Sequence, residues 1–104
     1  MIIYSITTAL EESIEEKWVE FMKNDHIPLI MKTGLFKDFR FVRVIPGQGV
    51  DISYNLQLRC SGHPELNQYR GMHEKMLEAI IQKHFEGKYA SFQSVLEHVA
   101  EGND

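Results

Sequence analysis

A chain of 104 residues with 43% hydrophobic and 25% charged residues fits one globular domain and lies outside the disordered and fibrous ranges. A formal net charge of −4 and a pI near 5.7 exclude a phosphate-backbone partner, which needs clustered Lys and Arg to release counterions, so no nucleic acid is expected. Cys60 is the only cysteine, which rules out an intramolecular disulfide and suits a reducing compartment.

Residues 2–9 are β-branched and aromatic without Gly or Pro, and they predict a first strand. The opening MIIYSITTALEE lacks a basic n-region and reads as that strand, not as a signal. No run approaches the roughly 18 apolar residues that span a bilayer, so no membrane partner is expected and the cytoplasm is the default location. From Glu11 the period changes. Ile14, Trp18, Phe21, Met22 and His26 recur at three- and four-residue steps, with Glu11, Glu12, Glu15, Glu16 and Lys17 facing water as a solvated acidic face. That is an amphipathic helix, and Pro28 should kink or restart it before Thr33-Gly34 stops it.

Residues 36–45 predict a second strand, residues 46–49 a Pro-Gly turn, and Val50 to Cys60 a third strand. In that third strand the even positions are mostly apolar and the odd ones polar. Gly62-His63-Pro64 opens a second helix whose inner stripe is read as Leu66, Tyr69, His73, Met76, Leu77, Ile80 and His84. Gly87 ends it. Residues 88–99 supply a last strand, so one domain covers residues 1–100 and a polar tail covers 101–104.

The segments from Gly34 to Val42 and from Gly87 to Val95 share the pattern Gly, x, aromatic, x, x, Phe, x, x, Val. Each comes after a helix and begins a strand. Two such βαβ halves make an α+β, ferredoxin-like β-α-β-β-α-β unit with an antiparallel four-stranded sheet and both helices on one face. Phe39, Arg40, Phe41 and Val42 put apolar residues on both sides of one strand, which favours pairing with a second copy as a homodimer.

The opening MIIYSITTALEESIEEKW, the HIP of residues 26–28, the TGLF of residues 33–36 and the GKYASF of residues 87–92 resemble the domain-of-unknown-function 4286 family over residues 1–100. That resemblance implies the dimeric α/β barrel superfamily, in which two ferredoxin-like sheets pack face to face, and implies no assigned activity. The aromatic-rich first helix ending in His and Pro is also similar to small polyketide-modifying and ether-degradation-associated proteins. The haem-degrading monooxygenases of the superfamily carry an Asn on the first strand, a Trp on the third and a His on the second helix. Here the first two are missing and His73 alone corresponds. Gln93 stands where relatives carry an Arg, which removes an anion contact.

His26 is the candidate catalytic residue. It lies one turn beyond Met22 and two beyond Trp18, beside Pro28, where a neutral imidazole could exchange a proton with a small carbonyl compound or phenol. The structural alternative is a His that satisfies loose backbone groups at the break. Trp18, Tyr4, Tyr54, Arg40 and His73 are candidate pocket residues. Each also has a plain structural role, as aromatic core, rim ion pair or hydrogen-bonded core histidine. Arg40 and Arg43 should project to opposite faces. His73 and His84 are too far apart along a helix to share an ion, Cys60 has no CxxC partner, and no metal site is expected. Gly47-Gln48-Gly49 is too short for a phosphate loop, so no cofactor is indicated.

Two functions remain open from the residues alone. One is a cofactor-free enzyme or binder of a small apolar or aromatic molecule near His26; the other is a non-catalytic homodimeric assembly or regulatory module. A cavity of at least about 300 Å³ beside His26 favours the first. If that space is filled by Trp18, Phe39 and Met side chains, the first fails.

Overall fold

Alternation of side chains across the pleat sets the sheet, and the helices cover the face that this alternation makes apolar. The computed structural model describes residues 1–45 and 52–103. In chain order it contains strand β1 (Ile2–Leu10), a 3-10 turn (Glu12–Ile14), helix α1 (Glu15–Phe21), a π-helical turn (Met22–His26) and helix α2 (Ile27–Lys32). Next come strands β2 (Asp38–Val44) and β3 (Ile52–Cys60), helices α3 (His63–Met72) and α4 (Glu74–Phe85) and strand β4 (Tyr89–Glu97).

The four strands form one sheet in the order β2-β3-β1-β4, with every neighbouring pair antiparallel. This is the ferredoxin-like β-α-β-β-α-β arrangement of an α+β domain. Tyr4 lies opposite Leu58 and Val95, and Ile6 opposite Leu56, so the even positions of β1 and β3 share the helix-covered face. Ile2, Tyr4, Leu10, Leu56, Leu58 and Cys60 are buried there against Trp18, Ile30, Leu66, Tyr69 and Leu77. Each aliphatic side chain so buried contributes about 1.5–3 kcal/mol. The opposite face carries no helix, and Val42, Val44, Phe92 and Leu96 are exposed on it.

Three expectations are corrected, the first in part. The first helix restarts at Ile27 as α2 with Pro28 in its first turn, but the chain does not leave the helical region there: Ile27 keeps helical angles of φ −61° and ψ −44°. The adjustment comes one turn earlier, where the Ile27 amide bonds the Met22 carbonyl in a π register. Widening the helix there accommodates the proline's missing N–H and its ring, which would press on an i−4 carbonyl in an α-helix.

The second helix is not continuous. His73, at φ −122° and ψ −38°, interrupts it, and the break shifts the inner stripe of α4 to Leu77, Ile81 and Phe85. Met76 and His84, expected inside, are exposed.

Thirdly, the acidic face is not wholly solvated, because Glu15 accepts hydrogen bonds from the Tyr54 hydroxyl at 2.7 Å and from Arg43 Nε at 3.1 Å. β1 runs one residue further than expected, β2 and β4 are slightly shorter, and the turn at 46–49 and Val50 lie outside the described residues. Gly34 and Gly87, at φ 76° and 78°, both occupy the left-handed region just after a helix, which gives the internal echo a common backbone basis. Among the described residues no helix is long and apolar enough to cross a membrane.

Candidate functional site

His26 closes the π turn on its inner side and is 4% exposed, and Trp18, two turns earlier, is 2% exposed. Both line one cavity under the sheet, together with Ile6 and Thr8 of β1, Phe41 of β2, Tyr54 and Leu56 of β3, Glu78 and Ile81 of α4, and Tyr89 and Ser91 of β4. Trp18 packs at a tilt against Phe41 and Tyr54, with ring centroids 5.8 and 5.4 Å apart, and Phe41 stacks on Tyr54 at 5.5 Å. The space left open measures about 20 Å³, room for roughly one water molecule. The expected pocket of ligand size is therefore not open at His26. Trp18, Met22, Phe41 and Tyr54 occupy most of the space, whereas Phe39 lies outside it.

Two polar atoms remain unanswered in this apolar setting. Among the described residues, Trp18 Nε1 and His26 Nδ1 are buried without a hydrogen-bond partner. A buried donor or acceptor left unpaired costs about 1–3 kcal/mol. Burial also pushes the His26 pKa down to about 4, so its imidazole is neutral near pH 7 and can accept a hydrogen bond. Thr8 and Ser91, opposite each other in the β1–β4 register, satisfy one another at 2.8 Å.

Glu78 is a cavity residue that the sequence reading missed. Burial and the charge of Glu74 raise its carboxyl above the usual range. Its spacing with Ile81 and Phe85 at three and seven residues was the available signal, hidden by the assumption of an unbroken helix.

The other candidates disperse. Tyr54 lines the cavity, its hydroxyl held by Glu15. Tyr4 is fully buried but does not line it; its hydroxyl donates to Glu74, and the Arg70 guanidinium lies 5.3 Å from its ring. His73 stands at the break between α3 and α4, stacked on Tyr69 at 6.2 Å, and does not reach His26's cavity. Arg40 pairs in register with Gln57 on the helix-free face, while Arg43 lies on the helix side with Tyr54. Among the described residues, no group of three or more His, Cys, Asp or Glu is placed to hold a metal ion.

Outside the cavity runs a half-open groove of about 460 Å³ between the first helical segment and β2, lined by Val19, Lys23, Ile27, Phe39, Phe41 and Tyr54. Phe41 and Tyr54 belong to both spaces. The groove is of ligand size, and it shares these two rings with the cavity lined by Trp18 and His26.

Residues 1–99 match the family described as Domain of unknown function (DUF4286). The chain belongs to that family. Comparison of this DUF4286 chain with curated proteins finds no match. Its fold is similar to that of an ethyl tert-butyl ether d (ethd) family protein from Bacillus halodurans, at TM-score 0.72 and 17% identity over 95% of this chain and 100% of that one. It is similar to a dimeric ferredoxin-like protein from an uncultured marine organism, at 0.72 and 7% over the full length of both. It is also similar to SnoaB, a cofactor-independent oxygenase from Streptomyces nogalater, at 0.69 and 8% over 96% of this chain and 94% of that one. At these identities the likeness is one of fold, and the DUF4286 chain shares with them the sheet and its helical layer.

Proposed function

We propose that this chain is a homodimeric small-molecule-binding protein, which takes a small, largely apolar or aromatic molecule between the sheet and the first helix with its polar end at His26 and Trp18. The observation that carries this reading is the pair of buried, unpaired ring nitrogens on one cavity, Trp18 Nε1 and His26 Nδ1. Their burial costs stability and serves no contact within the described residues. A bound polar atom would recover that cost.

The apolar body of the ligand lies in the groove against Val19, Ile27 and Phe39, and the shared rings of Phe41 and Tyr54 turn aside to admit its polar end. Trp18 Nε1 donates to that end, and the neutral imidazole of His26 accepts a hydrogen bond from it. The dimer forms through the helix-free sheet face, where Phe92, Leu96, Val42 and Val44 leave apolar surface exposed. A solved neighbour described as dimeric and ferredoxin-like supports a dimer. The single buried free thiol, Cys60, is consistent with the cytoplasm as its location.

The test is a titration with 2-naphthol monitored by NMR at the His26 ring protons and the Trp18 indole N–H. Saturable shifts at both, absent in a His26→Leu variant, are expected. If neither signal moves in the folded protein, the ligand reading is wrong and the non-catalytic homodimeric module stands.

A further inference from the structure

The charge of the cavity wall constrains what can enter it. Among the described residues, Glu78 is the only carboxylate that lines the His26 cavity, and no Lys or Arg lines it. The neighbouring acids are answered: Glu15 pairs with Arg43 at 3.1 Å, and Glu74 with Arg70 at 3.5 Å. Glu78 has no ion-pair partner among the described residues. Of the two arginines of β2, Arg40 is on the other face of the sheet beside Gln57, and Arg43, on the helix side, is held by Glu15. Lys23 borders only the outer groove.

The hydrogen-bonding wall has a matching requirement. Trp18 Nε1–H can only donate, so the ligand's polar end must accept, while neutral His26 with an unprotonated ring nitrogen accepts a hydrogen bond, so that end must also donate. A hydroxyl group does both. A carboxylate offers acceptors only, and it would bring a second negative charge into a poorly solvated space beside Glu78, where mutual repulsion is large.

From this arrangement we infer that Glu78 is a specificity-determining residue, which restricts the site to uncharged ligands whose polar end both donates and accepts, a hydroxyl or a primary amide, and turns away the matching carboxylates. The inference rests on the ligand site proposed above and names its substrate class. Glu78 acts by its charge on the ligand's polar end and has no part in holding the apolar body, which the groove residues do.

The experiment compares three probes of one shape, 2-naphthol, 2-naphthamide and 2-naphthoate, on the full chain and on Glu78→Gln at neutral pH, read at the His26 ring signals. In the wild type, naphthol and the uncharged amide should bind, and naphthoate should bind roughly 100-fold more weakly than the amide. In Glu78→Gln that gap should close to a few-fold, with naphthol affinity little changed. Equal binding of amide and naphthoate by the wild type, or a gap that persists in Glu78→Gln, overturns the role of Glu78 and leaves the ligand site standing. If no probe shifts His26, the ligand site falls and the inference with it. Equal binding of amide and naphthoate by the wild type overturns the role of Glu78 even if the variant folds poorly.

Discussion

His26 and Trp18, eight residues apart on one helical segment, face the same cavity, and each keeps a buried ring nitrogen unpaired among the described residues. The π turn at Met22–His26 belongs to this relationship: it places His26 on the inner side and absorbs Pro28 without the chain leaving the helical region.

The first consequence concerns pH. His26 has a folded pKa near 4 against an ordinary value of about 6.5, so between these values the unfolded chain binds a proton that the folded chain refuses. Stability is then fully present above about pH 6.5 and falls as the pH drops towards 4, by about 3 kcal/mol in all. Denaturant unfolding at pH 7 and pH 4 should show the wild type losing about that much more than His26→Leu, which has no such group. Equal losses would show that His26 is not buried as a neutral ring.

Trp18 fills most of the space that a ligand would need. Trp18→Ala should cost about 3–5 kcal/mol in unfolding free energy, because a large buried side chain is replaced by a cavity. Trp18→Phe should retain most of the packing against Phe41 and Tyr54 while removing the indole donor, so it should fold and lose most of its 2-naphthol affinity. Unchanged affinity in a folded Trp18→Phe would separate the indole N–H from binding.

Tyr4 is a structural counterpart to the site. Its hydroxyl donates to the Glu74 carboxylate at the start of α4, beside the break at His73, and Arg70 completes the cluster. Tyr4→Phe should destabilise the fold by about 1.5–3 kcal/mol, the range for a hydrogen bond to a charged group, and leave the His26 NMR signals in place. Displaced His26 signals would mean that the position of α4 over the cavity depends on this bond.

How far the sequence could be read depends on which interactions are local. Strand alternation in residues 52–60 and the Gly-aromatic echo depend on neighbours a few residues apart, and both survive in the fold. The inward placement of His26 and Trp18 also came from helical spacing. The phase of helices at irregularities could not be read. The π turn and the His73 break each rotate the helix beyond them, so Glu78, Ile81 and Phe85 came inside while Met76 and His84 went out. The engagement of Glu15 with Tyr54 and Arg43 joins positions 39 and 28 residues apart, and no local pattern announces it.

The helix-free sheet face supplies a prediction about assembly. Light scattering at micromolar concentration should give a dimer mass for the wild type, and Phe92→Glu combined with Leu96→Glu should shift it to monomer without unfolding it, since both side chains lie on the open face. A monomeric wild type would remove the homodimer from the proposal.

The ligand site itself is decided most directly by a crystal structure of the chain grown with 2-naphthol. The prediction is a naphthol ring seated between α1 and β2, the Phe41 and Tyr54 rings turned from their present stack, and the hydroxyl within hydrogen-bond reach of Trp18 Nε1 and the His26 ring. A structure in which the Trp18, Phe41 and Tyr54 cluster stays closed, with naphthol absent or bound elsewhere, would contradict it.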